Sequence, residues 1–144
     1  MPLLEQVLEK YPKEVKVVFK NFPLRNHSFA KPAAVAALAA GEQGKFWEYH
    51  DRIFNDYKKI SEAFLVETAE QIGLDMEKFS AARGRADLAA AVNSDLQEGS
   101  GAGVRGTPTI FINGRRLTQR SLEGFSAMID SELGKLGGEG RRGR

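Results

Sequence analysis

The chain has 144 residues, 42% of them apolar and 28% charged, with a formal net charge of +2; this is one soluble-type globular domain's worth of sequence and argues against wholesale disorder. Residues 137–144 hold three of the arginines, so the remainder carries both signs equally, and a sequence pI near 8.9 comes from the tail rather than from a basic face of the kind nucleic acid requires. The absence of cysteine excludes disulfides, thiolate nucleophiles, iron–sulfur clusters and cysteine-based zinc sites. No apolar run approaches the roughly 18 residues of a membrane span, and the first residues, with Glu5 and Glu9 among their apolar positions, do not form a secretory signal.

In chain order, Leu3, Leu4, Val7, Leu8 and Tyr11 recur at helical spacing until Pro12 stops the pattern, with only Met1 ahead of Pro2 to act as a cap. Glu14–Phe22 alternates Val15, Val17 and Phe19 against Lys16, Val18 and Lys20, which predicts a strand. From Ser28 to about Ala102 the pattern is helical. Alanine-rich Ala33–Ala40 is followed by a stop at Gly41, and a second helix runs through Phe46, Trp47, Tyr49, His50, Ile53, Phe54 and Tyr57. A third is capped by Ser61 and ends near Gly73, a short one spans Met76–Ala82, and a longer one runs from Ala86 to Glu98. Thr109–Ile112 and Arg116–Thr118 read as strands joined by the hairpin turn Asn113–Gly114. Ser121 caps a last helix carrying Leu122, Phe125, Met128, Ile129 and Leu133, and Gly137–Arg144 reads as a disordered tail.

Several constellations reduce to structural roles. Gly101, Gly103 and Gly106 fit a dinucleotide fingerprint, but a helix precedes them and a strand follows, the reverse of the order that aims a helix N-terminus at phosphate. His27 and His50 have no metal-type spacing with carboxylates. His50 and Asp51, consecutive on a helix, are expected to point apart, and His27–Ser28 offers no oxyanion donor. The aromatic run Phe46, Trp47, Tyr49, Phe54 and Tyr57 is expected to pack in the helical core. Gly106-Thr107-Pro108-Thr109 sets a proline at the mouth of a strand, where its missing N–H spares the ladder. Only about 5–6% of X-Pro bonds in folded proteins are cis, so the local sequence alone favours trans.

The run VKVVFKNFPLRNHSFAKPAAVAALAAGEQGKFWEYHDRIF, followed by GVRGTPTIFINGRRL and a final amphipathic helix, closely resembles the DsbA-like thiol–disulfide oxidoreductases of the thioredoxin fold. The resemblance covers about Leu3 to Leu136. It implies an α/β fold over residues 1–136 with an all-helical insert at about 28–102, and a cis peptide at Thr107–Pro108. It also implies substrate binding at Gly106, Thr107 and Pro108, extended peptides or proteins as partners, no cofactor, and an extracytoplasmic or periplasmic setting. The departure is at the start, where the family's central strand and C-x-x-C motif have no counterpart. The resemblance therefore implies an N-terminally truncated domain, inactive in disulfide exchange, because exchange needs an attacking thiolate. The incomplete sheet predicts a homo-oligomer through its open edges. Two other readings stand beside this one: a non-catalytic peptide-binding module using the proline groove, and a glutathione-using isomerase of the same fold.

Overall fold

The computed structural model describes residues 2–24 and 28–142, with side chains described as far as Leu136; His27 lies outside the described residues. The chain divides into two compact units, Met1–Val18 with Thr107–Arg144, and Phe19–Gly106.

In the first unit, helix α1 (Pro2–Lys10) packs on the last helix, α7 (Leu122–Arg142), beside a hairpin of strands β1 (Phe111–Ile112) and β2 (Arg115–Arg116). Val7 and Tyr11 close on Leu117, Phe125 and Ile129, a small apolar core drawn from all three parts. Two polar contacts fix α1 along α7: Lys10 Nζ donates to Ser126 Oγ at 2.8 Å, and Tyr11 Oη donates to Asp130 Oδ1 at 2.7 Å. Asn113 and Gly114 adopt φ of 48° and 80°, both central residues left-handed, as a two-residue hairpin turn requires. That turn forces Ile112 opposite Arg115 and Phe111 opposite Arg116, so the second strand begins at Arg115, one residue before the expected start, and the Leu117 N–H donates to the Ile110 carbonyl at 2.8 Å beyond it.

The second unit is helical. It comprises α2 (Ala30–Glu42), α3 (Phe46–Asn55), a 3-10 turn at Tyr57–Lys59, α4 (Glu62–Gln71), α5 (Met76–Arg83) and α6 (Ala86–Gly101). The buried alanines of α2, including Ala36, Ala39 and Ala40, let its neighbours approach closely, and Tyr49, Leu65, Ala69 and Phe79 complete the core. Ser61 accepts from the Phe64 N–H at 3.1 Å and Asp75 from the Lys78 N–H at 3.0 Å, starting α4 and α5 where the cap residues stand. After α2 the left-handed position is Gly44, at φ 75°, rather than Gly41, which stays inside the helix.

Two expectations are corrected. Glu14–Phe22 is not a strand: the chain turns through Glu14 and then has no regular secondary structure over residues 15–24. Alternation supplies two faces, but a strand exists through its ladder, and among the described residues the only paired strands are β1 and β2. The segment is held instead by side chains, with the Asn21 N–H and Nδ2 both donating to Asp95 Oδ2 at 2.9 and 3.1 Å. The aromatics of α3 and of the 3-10 turn after it divide: Tyr49 is fully buried, but Trp47, Phe54 and Tyr57 are 47%, 55% and 61% exposed. At about 100° per residue, the face centred on Tyr49 and Ile53 turns through His50 toward Phe54 and Trp47, which fall on its outer shoulder. The backbone of α7 is helical to Arg142. The side chains of the expected tail, and residues 143–144 altogether, lie outside the described residues.

Candidate functional site

The loop before β1 brings Pro108 to the surface of the first unit. The Thr107–Pro108 peptide bond is cis. Pro108 borders a groove of about 510 Å³ whose walls are Leu3 and Leu4 of α1, Ile110, Thr118, Arg120 and Phe125. A smaller adjoining hollow of about 250 Å³ shares Pro108, Ile110, Thr118 and Arg120 and adds Arg116.

Each wall has a local cause. The Ser121 hydroxyl accepts from the Gly124 N–H at 3.0 Å and its carbonyl from the Phe125 N–H at 2.9 Å, so the capped first turn of α7 sets Phe125 into the groove floor. Leu3 and Leu4 sit one turn ahead of Val7 and Leu8, at the end of α1 that faces the loop. Arg120 folds back across twelve residues, its Nη1 donating to the Pro108 carbonyl at 3.3 Å. Thr107 is exposed, and no described residue hydrogen-bonds it. An apolar floor beside an open main-chain donor and acceptor suits an extended peptide, which is recognised through its backbone while alternate side chains fill pockets.

Of the positions singled out from the sequence, Pro108 lines the groove and Thr107 immediately precedes it. Gly106 belongs to the other unit and has open space where a Cβ would stand. Leu3, Leu4, Thr118, Arg120 and Phe125 were not foreseen as site residues. An apolar residue on an amphipathic helix reads as core, and no local signal places Arg120 on Pro108.

The second unit carries a different polar feature. His50 is buried among the rings of Phe19, Phe46, Trp47 and Phe54, at centroid distances of 4.8, 5.6, 5.3 and 4.2 Å. Its Nδ1 lies 3.2 Å from Asp51 Oδ1, which corrects the expectation that the two side chains diverge. Nδ1 is the ring nitrogen nearer the backbone, so a short carboxylate one residue on reaches it. Nε2 is buried and has no hydrogen-bond partner among the described residues. Burial pushes the imidazole pKa down from its ordinary value, and Asp51 opposes the shift. Among the described residues no group of three His, Cys, Asp or Glu side chains is placed to hold a metal ion.

Residues 2–131 match the family model described as Thioredoxin. The chain is 36% identical over 116 residues to the Na(+)/H(+) antiporter NhaA 3 of Salinispora tropica, a match covering 80% of this chain and 18% of that protein. It is 33% identical over 132 residues to the Na(+)/H(+) antiporter NhaA 1 of Salinispora arenicola, covering 90% of this chain and 20% of the relative. The chain thus spans about a fifth of the length of these curated relatives. Among solved structures, a thioredoxin-like oxidoreductase from Silicibacter pomeroyi DSS-3 superposes with a TM-score of 0.75 at 20% identity, over 92% of this chain and 76% of that one.

Proposed function

The chain belongs to the thioredoxin family, and from that premise we propose that it is the peptide-binding body of a DsbA-like thiol–disulfide oxidoreductase domain. In this reading the groove beside Pro108 receives an extended segment of a protein substrate. Thr107 pairs with the segment's backbone, and Leu3, Leu4 and Phe125 take up its apolar side chains. The observation that carries the reading is the exposed Thr107, without a hydrogen-bond partner among the described residues, immediately before the proline wall of an apolar groove.

The chemistry of exchange is a separate matter. Attack on a disulfide requires a thiolate, and the 144 residues contain no cysteine. The reading therefore gives this polypeptide the binding step alone. Ion transport, which the names of the antiporter relatives describe, is not carried over to it; no described helix is long and apolar enough to cross a membrane. The family setting proposed for the domain is extracytoplasmic.

Titration calorimetry with an unstructured ten-residue peptide tests the reading. Binding with a Kd in the micromolar to millimolar range is expected, weakened at least fivefold by Pro108→Ala, which removes the ring that forms one wall. Heat of binding that Pro108→Ala leaves unchanged overturns it.

A further inference from the structure

The segment between Glu98 and Glu123 contains four arginines and no carboxylate. Two of them, Arg116 and Arg120, border the hollows beside Pro108. In the helical unit Arg83 forks onto Glu62 at 2.7 and 2.8 Å and Arg85 bridges Glu42 and Asp87, while Arg52 donates to the Gln71 side-chain oxygen. Arg116 and Arg120 have no carboxylate partner among the described residues. Arg120 uses one N–H on the Pro108 carbonyl, which anchors the planar group at the groove while leaving the other donors of the fork free. A guanidinium held in place beside an apolar floor is a ready partner for a carboxylate, because its fork matches both oxygens and part of its ordering is already done.

We infer that the groove selects acidic segments, with Arg120 and Arg116 as its specificity-determining residues: the ligand is an extended peptide carrying Asp or Glu at the side chains that flank the stretch paired with Thr107. The inference rests on the peptide-binding reading and adds the class of peptide. Charge complementarity identifies the occupant. In an extended strand, residues two apart share a face about 6.5–7 Å apart, so a segment with acids at alternate positions presents successive carboxylates to the same side of the groove.

Three ten-residue peptides, identical but for Glu, Gln or Lys at two alternate positions, are titrated calorimetrically at low salt and at 0.5 M salt. The Glu peptide is expected to bind roughly fivefold more tightly than the Gln peptide for each arginine engaged, the Lys peptide most weakly, and the spread to shrink at high salt. The double variant Arg116→Gln with Arg120→Gln should bring the Glu and Gln peptides together. Arg116→Glu with Arg120→Glu should reverse the order, a reversal that mere loss of structure does not produce. Arg120→Lys should retain the preference for Glu in weaker form. If all three peptides bind alike and Pro108→Ala still weakens them, the groove reading stands and the charge preference is overturned. If no peptide binds, both fall. If a single-stranded oligonucleotide binds the same arginines more tightly than the Glu peptide, the assignment to acidic peptides is overturned.

Discussion

Two glycines of α7 predict opposite responses to the same substitution. A Cβ built on Gly124 collides with the Gln119 carbonyl oxygen and comes within 2.9 and 3.0 Å of the Gln119 Cβ and carbonyl carbon, whereas one on Gly134 meets nothing within 4 Å. Glycine to alanine in a helix ordinarily stabilises by about 0.5–1 kcal/mol, and Gly134→Ala should show that gain. At Gly124 the obstacle is backbone, which no rotamer change relieves, so overpacking of about 1–3 kcal/mol outweighs the propensity term and leaves a net loss of about 1–2 kcal/mol. Thermal unfolding followed by circular dichroism should place Gly134→Ala above the parent and Gly124→Ala below it, with about 3–5 °C for each kcal/mol in a chain of this size. Gln119 stands between Thr118 and Arg120 of the groove, so Gly124→Ala should also weaken peptide binding while Gly134→Ala leaves it intact. A Gly124→Ala protein as stable as the Gly134→Ala protein would refute the packing of the α7 start against the 117–120 segment.

Tyr49 donates its hydroxyl to the Leu65 carbonyl at 2.9 Å inside the helical core, and burial raises the phenol pKa well above its ordinary value; Tyr49→Phe removes that bond, leaves the carbonyl its place in the α4 ladder, and should lower stability by about 0.5–1.5 kcal/mol in urea unfolding. His50 is held below its ordinary pKa of 6.5 by burial, so the unfolded chain takes up a proton that the folded chain resists. Its contribution is fully present above pH 6.5 and is lost as pH falls toward the folded-state value, so urea midpoints should drop between pH 7.5 and 5.5, less so in His50→Phe. Tyr11→Phe breaks the bond to exposed Asp130 and should lower the stability of the α1–α7 unit by about 0.5–1.5 kcal/mol, detectable as faster amide exchange in α1. In an insulin reduction assay with dithiothreitol the chain should leave the uncatalysed rate unchanged; acceleration would contradict the thiolate argument.

Local grammar carried much of the architecture. Ser61 and Asp75 cap the helices that follow them, and Asn113–Gly114 makes the turn its dipeptide predicts, because those signals act within four residues. What needs a distant partner is not legible in the local sequence. Val15, Val17 and Phe19 alternate as a strand would, yet the ladder that makes a strand is non-local, and the segment is tied down by Asp95 instead. Trp47 and Phe54 read as core from their hydrophobicity, which does not say how far round a helix burial extends, and both are exposed. At the site, Pro108 was legible from its loop. Arg120 was not, since its contact depends on the hairpin bringing residues 108 and 120 together. Leu3 and Leu4 read as ordinary core positions and border the groove as well.

The central claim is that an extended peptide lies in the groove beside Thr107 and Pro108. Amide chemical-shift mapping of the labelled protein during titration with the Glu peptide tests it most directly. The account predicts saturable shifts at Thr107, Thr109, Ile110, Thr118, Arg120 and the first turn of α1. Shifts centred on Trp47, His50 and Phe54, or none at any peptide concentration, would contradict it.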